Sequence, residues 1–543
     1  MPHPSRRHFL SWTAKAATAA AIAPQMLRAA AEVSQGAISG EPTAEKVGME
    51  VLAAGGNAVD AIVCAALTAA IASPHNTGIG GYGGHMTLAF ADTGKVTSID
   101  FNSTAPAVAR EDMYPLDDKG AVRGAVSQYG WLAAGVPGVL AGMQLALERY
   151  GTRSFRDSAA PAVKLAREGF KLTAGLAKTM NSCGAQFHAD EGSRKLYLKN
   201  GEPLAAGDTF RNPQLADMLA TLAERNSADS FYRGDIAQQI AEAFKKNGGL
   251  VTKEDLAAYR ARDVEPLALS WRGFDIRTAP LTAGGLTVLQ VLTILRELKW
   301  DTQPEGFART HARIEALRFA WHDRLRWLGD PDKSDVPVKR MLSTEYAAEA
   351  AAQIQRVVRE GKILTLRTES RRQPGTVNLS AVDRYGNMAA CTLTHGGSFG
   401  ARVTVDGLGL TLGHGPSRFD PHPGHPNSPG PGKRPLHNMC PTIVLQDGRP
   451  VIALGARGGR QIPNAIFEVL TQFVALDRSL AEAVAAPRLH TEGNADVQFE
   501  KSWPAAETEA AGKAGYKVGT GFAAVVSAVS RDPASGECRA SVR

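Results

Sequence analysis

Pro374-Gly375-Thr376-Val377-Asn378-Leu379-Ser380-Ala381-Val382-Asp383 is the stretch on which the reading of this 543-residue chain turns. A Pro-Gly pair sets a turn. Leu379, Ala381 and Val382 then begin a strand of buried character, with Thr376 at the junction. If the Gly375–Thr376 bond were cut, Thr376 would carry a hydroxyl and a free α-amine together. One residue would then supply nucleophile and base, a known way to activate a weak hydroxyl. Taken alone, the segment reads as an ordinary turn, so its meaning depends on the rest of the chain.

Downstream of Thr376, residues 379–383, 388–394, 442–445 and 451–454 read as strands, and 463–475 as a helix. Arg384-Tyr385-Gly386-Asn387 is a turn, and residues 420–435 form a long Pro/Gly-rich loop. Upstream, residues 43–72 have helical spacing broken at Gly55-Gly56-Asn57. Strands are expected at 86–90 and 96–101, and helices at 139–150, 157–168, 213–223, 235–246, 286–298 and 310–328. The middle region therefore reads as helix-rich, and no internal repeat is evident.

The first 31 residues have a character of their own. Ser5-Arg6-Arg7-His8-Phe9-Leu10 is a twin-arginine pattern, followed by an Ala-rich apolar run to Leu27 and the small residues Ala29-Ala30-Ala31. This reads as an export signal, residues 1–31, directing the chain to the periplasm or outside. The formal charge is +7, and a chain without this leader would carry +3. No Lys/Arg stripe with interleaved aromatics suggests nucleic acid. No apolar run reaches the ~20 residues of a spanning helix. The five cysteines (Cys64, Cys183, Cys391, Cys440, Cys538) have no C-x-x-C spacing and read as small buried hydrophobes. An oxidising compartment would permit one disulfide, whose pair the sequence does not choose.

Two motifs are set aside. Gly78-Ile79-Gly80-Gly81-Tyr82-Gly83-Gly84 lies between a helix and a strand, the reverse of the strand–loop–helix order of a dinucleotide site. His395, His414, His422, His425 and His437 lack the helical spacing of a zinc protease, and are expected to be solvated loop histidines. No cofactor or metal is expected.

Several segments together resemble the γ-glutamyltransferase family of N-terminal nucleophile (Ntn) hydrolases. These are residues 55–61 (GGNAVDA), 74–81 (PHNTGIGG), 104–113, 135–138 (GVPG), 328–332 (LGDPD), 433–436 (KRPL) and 486–488 (APR). They run in order from about residue 41 to the end. The resemblance implies an α/β fold, a four-layer αββα sandwich. It also implies a precursor that cuts itself before Thr376. The large subunit would be residues 32–375 and the small, catalytic subunit 376–543, both interleaved in one sandwich. Thr376 would be the nucleophile, Thr394 its hydrogen-bonding partner, and Gly458-Gly459 the oxyanion-binding pair.

The substrate positions depart from that family. Asn102 stands where the family's carboxylate-binding arginine would be, and Gly396 and Gly415 replace amide donors. Arg418 takes the place of the aspartate that pairs with the substrate ammonium, and His437 and Asn438 replace two serines. Val377 and Asn378 also differ from the usual Thr and His. A γ-glutamyl head group would meet Arg418 with its positive end, an unfavourable contact in a desolvated pocket. The expected substrate is thus a small-molecule amide whose acyl part carries a carboxylate but no α-ammonium, held by Arg418 with Arg402, Arg457 or Arg460 as further candidates. Two other readings stand beside it. One is a conventional γ-glutamyl hydrolase or transferase acting on glutathione; the other is a non-catalytic binding pseudoenzyme.

Overall fold

The computed structural model describes residues 36–366, 375–522 and 524–543. The leader, and Pro374 of the decisive stretch, lie outside them. Two six-stranded sheets, antiparallel throughout, form the centre. The first runs, in spatial order, Ala37–Ser39, Val377–Val382, Met388–Thr394, Gly83–Ala89, Val96–Asp100, Arg262–Val264. The second runs Cys538–Val542, Val525–Arg531, Arg449–Arg457, Thr442–Gln446, Phe274–Thr278, Leu267–Trp271. Each sheet takes strands from both sides of Thr376, so neither half of the chain could complete a sheet alone.

Alternation along the decisive strand builds the layers. Val377, Leu379 and Ala381 face the helices Ala58–Ala72, Val139–Tyr150 and Phe155–Glu168 in one large apolar core. Val382 points the other way, into a smaller core with Met388, Ala390, Ile443, Ala453 and Val529 between the two sheets. The second sheet's outer face packs on Gly285–Glu297, Phe307–Trp327, Thr344–Glu360 and Gln461–Leu470. The fold is the four-layer αββα sandwich.

Local chemistry fixes the joints. Asn57 caps the helix at Ala58 with a capping box to Asp60, which is why Gly55-Gly56-Asn57 breaks the helical run. Asp60 is buried and also accepts from the Thr152 hydroxyl and the backbone amides of Thr152 and Arg153. Asp383 ends the decisive strand, accepts from the Ala58 amide, and closes the Arg384–Asn387 turn. All five cysteines are buried and free. Among the described residues no helix is long and apolar enough to cross a membrane.

The middle region is helix-rich, as read, and holds strands the sequence reading did not assign. It supplies the strands Arg262–Val264, Leu267–Trp271 and Phe274–Thr278, two of them at sheet edges. The C-terminal strands Val525–Arg531 and Cys538–Val542 and the helix Thr344–Glu360 also went unassigned from sequence.

Candidate active site

The antiparallel register pairs Val377 with Leu393, which sets Thr376 opposite Thr394. Their hydroxyl oxygens are 3.4 Å apart. Thr394 Oγ1 donates to the carbonyl oxygen of Gly375 at 2.6 Å and accepts from the Gly396 amide at 2.7 Å. The Thr376 hydroxyl also contacts the Gly375 carbonyl, its own preceding peptide. Thr376 is only 5% exposed in this uncut chain, so the hydroxyl is covered while the Gly375–Thr376 bond stands. Gly375 has φ +100°, and a Cβ there would lie 2.9 Å from the Gly397 backbone. Glycine is required on both counts.

Asn378, on the same strand face as Thr376, packs against Gly455 of the second sheet so closely that a Cβ on Gly455 would lie 2.0 Å from Asn378 Oδ1. That contact brings the end of the Arg449–Arg457 strand toward the start of the decisive strand. Gly458 (φ +136°) and Gly459 (φ +63°) follow immediately, where the chain turns into the helix Gln461–Leu470. A Cβ on Gly458 would meet Ala524 Cα at 2.6 Å.

The glycine-rich loop serves packing. A Cβ at Gly78 would collide with the His395 ring (2.4 Å), and one at Gly81 would crowd the Thr394 carbonyl (3.0 Å). The loop wraps the Thr394–His395 backbone closely. The histidines correct the sequence reading: His395, His414 and His437 are buried, and only His422 is substantially exposed. Burial lowers His395 to about 3 and His414 to about 4, and drives His437 well below its ordinary range. All three are neutral at neutral pH. Among the described residues no cluster of His, Cys, Asp or Glu is placed to hold a metal ion.

A cavity of about 1030 Å³ opens beside this centre, reaching Gly396 and Gly397. Its wall carries Lys119, Arg324, Arg326, Arg402, Arg418 and Arg460 against one carboxylate, Asp420, which is engaged by His422 at 2.7 Å. Arg460 is paired with Glu492 at 2.8 Å. Among the described residues no carboxylate forms an ion pair with Arg324, Arg402 or Arg418. The half-buried Arg418 guanidinium lies close to Tyr82, and burial lowers its pKa. Burial pulls Arg324 down to about 10; it donates to the His437 carbonyl at 2.6 Å and to Asn438 Oδ1 at 3.2 Å.

The pocket positions expected from the sequence therefore separate. Arg418 and Asn438 line the cavity; Asn102 and His437 do not. Asn102 spends its amide hydrogens on Thr282 (2.7 Å) and the Pro435 carbonyl (2.8 Å), and the His437 ring packs on His85 at 4.8 Å. Gly396 and Gly415 leave no space for side chains: a Cβ at Gly396 would lie 2.3 Å from His414 Cδ2, and one at Gly415 would lie 2.2 Å from Ser103 Oγ. Of the further arginines, Arg402 and Arg460 reach the cavity and Arg457 does not. Arg324 was missed from sequence.

A family model, gamma-glutamyltranspeptidase, matches residues 44–543. The chain belongs to the gamma-glutamyltranspeptidase family. It is 37% identical over 472 residues to a "Glutathione hydrolase proenzyme" of Escherichia coli (strain K12), covering 83% of this chain and 80% of that protein. It is 34% identical over 490 residues to an "Acylase ACY 1 proenzyme" of Pseudomonas sp. (strain SE83), covering 89% and 86%. Among solved structures, cephalosporin acylase from Bacillus halodurans superposes with a TM-score of 0.82 at 27% identity, covering 95% of this chain and 98% of that one. The chain is thus an Ntn hydrolase of a family holding both glutathione hydrolases and acylases.

Proposed function

We propose that this member of the gamma-glutamyltranspeptidase family is a self-processing amidohydrolase. It would remove a small acyl group that carries a carboxylate and lacks an α-ammonium. Cleavage before Thr376 would leave residues 32–375 and 376–543 interleaved in one sandwich, and the twin-arginine leader would export the folded protein. The freed α-amine, with an ordinary pKa of about 8, would take the Thr376 hydroxyl proton as Oγ attacks the amide carbonyl. Thr394 would orient Oγ, and the backbone amides of Gly458 and Gly459 would receive the oxyanion. One such donor is worth roughly 3–4 kcal/mol. The amine half would leave, and water would release the acyl group from Thr376.

The observation that carries the substrate reading is Arg418. It lines the cavity beside Thr376, and both it and Arg324 act electrostatically on Tyr82. A carboxylate would relieve both desolvated cations through arginine's fork; an ammonium would add a third like charge.

The test compares kcat/KM for glutaryl-4-nitroanilide, γ-glutamyl-4-nitroanilide and oxamate amides. The reading expects the acyl groups without α-amine to be preferred. Similarity to the Escherichia coli glutathione hydrolase proenzyme favours a second reading, a glutathione-type γ-glutamyl hydrolase or transferase. Efficient γ-glutamyl turnover with no preference for the desamino acyl group would establish it. A chain that stays single and is inert to all amides would instead point to the non-catalytic pseudoenzyme.

A further inference from the structure

Two residues beyond Thr376, on the same face of its strand, Asn378 is only 2% exposed and lies between the two sheets. Both ends of its amide are engaged. Oδ1 accepts from the Thr392 hydroxyl at 2.7 Å, on the residue that stands opposite it in the first sheet. Nδ2 donates across the gap to the Ser527 carbonyl and, along its own strand, to Ser380 Oγ, each at 3.3 Å. Ser380 Oγ donates to the same carbonyl at 3.0 Å. Ser527 pairs with Gly455 in the second sheet, and a Cβ on Gly455 would lie 2.0 Å from Asn378 Oδ1. The amide therefore sits directly on the Gly455–Ser527 pair.

Farther along the same gap the sheets meet through apolar side chains, among them Val382, Met388, Ile443, Ala453 and Val529. Apolar contact is non-directional and tolerates a small slide of one sheet over the other. A satisfied buried polar contact admits one arrangement. The strand that carries Gly455 reaches Gly458 and Gly459 three and four residues later. Thr376 and these glycines belong to different sheets, so the stacking at this point sets their separation. We propose that Asn378 is a positioning residue, which holds the strand leading to Gly458-Gly459 at the spacing from Thr376 that acyl transfer requires. It touches neither substrate nor reacting atoms. The inference rests on the reading above in taking Thr376 as nucleophile and the glycine pair as oxyanion donors, and it is indifferent to the acyl group. An oxyanion donor helps only where the oxygen will sit, and a misplacement of about 1 Å can cost about a hundredfold in rate.

The test measures kcat and KM of processed enzyme on glutaryl-4-nitroanilide and γ-glutamyl-4-nitroanilide. Asn378→Ala should still give two bands and lower kcat by about ten- to a hundredfold, with the same factor on both probes and little change in KM. Gly455→Ala should lower kcat likewise, by forcing the strands apart. The double variant Asn378→Ala/Gly455→Ala should recover most of the kcat lost in Gly455→Ala, because the added methyl then has room. Thr392→Val removes only the hydroxyl that orients the amide. It should show a smaller loss of the same kind, and it decides the matter should Asn378→Ala fail to fold or process. An unchanged kcat in the deciding variant overturns the proposal. So does a loss carried by KM or confined to one probe, which would place Asn378 in the acyl pocket. A Gly455→Ala loss that the second substitution leaves uncorrected overturns it as well. Wild type inert to both anilides would instead remove the nucleophile reading, and this inference with it.

Discussion

Thr394 Oγ1 donates to the carbonyl oxygen of Gly375 at 2.6 Å, the carbonyl of the bond that would be cut. Strand pairing delivers this contact, since the Val377–Leu393 register sets Thr394 opposite Thr376. A donor there polarises the scissile carbonyl, and a charge-developing oxygen gains more from it than a resting one. Thr376→Ala should therefore remain one chain on a denaturing gel, where wild type should give bands of roughly 37 and 18 kDa. Thr394→Val should slow the appearance of those bands by about tenfold or more. Processing at the wild-type rate in Thr394→Val would remove its assigned role.

The backbone around Thr376 permits no side chain at two glycines. Gly375→Ala places a methyl 2.9 Å from the Gly397 backbone at a φ of +100°. Gly458→Ala places one 2.6 Å from Ala524 Cα at a φ of +136°. The first should block cleavage. The second should leave two bands but lower kcat by about a hundredfold, the usual loss for a displaced oxyanion donor. Single-turnover acylation measured on the processed Gly458→Ala variant checks this, and an unchanged rate would exclude the glycine pair.

How far the sequence carried these conclusions differs by element. The strand Val377–Val382 was legible because a turn precedes it and its apolar positions are buried on both faces. The strand Leu267–Trp271 was not, because it is a sheet edge with Ala268 and Ser270 exposed. The buried histidines were hidden by distance along the chain. His395 is enclosed by Gly78, and His437 by His85, more than 300 residues earlier. Arg324 looked like one more charge on a charged helix. A signal did exist, since Leu317, Ala320 and Trp321 place it beside that helix's buried face.

Arg418 should govern the acyl half. Replacing it with Gln removes a charge-assisted hydrogen bond worth about 1.5–3 kcal/mol. Arg418→Gln should therefore raise KM for glutaryl-4-nitroanilide by about ten- to a hundredfold with a smaller change in kcat. Arg418→Lys should recover part of the loss but not the bidentate geometry. Selection against γ-glutamyl-4-nitroanilide should weaken in Arg418→Gln, because the like charge facing its ammonium has gone. Steady-state kinetics on the two anilides measures both effects, and an unchanged ratio between them would place the acyl carboxylate elsewhere.

Acid should unfold this protein through its buried histidines. Burial holds His85 and His414 at about 4 and His395 at about 3, against an unfolded value near 6.5. At His85 the nearby Asp100 opposes the effect, while Arg262 and Arg434 reinforce it. Between the two values the unfolded chain binds protons that the folded chain refuses. Stability is therefore full above about 6.5 and falls as the pH drops toward 4. Each histidine contributes about 1.4 kcal/mol per pH unit across that window. The melting temperature should fall steeply from pH 6.5 to 4.5, with about one proton taken up on unfolding near pH 5 by each of these rings and by His75, His311 and His437, which burial also depresses. Calorimetry in buffers of different ionisation enthalpy measures that uptake. A flat melting temperature with no uptake would mean that these rings already carry their protons in the folded state.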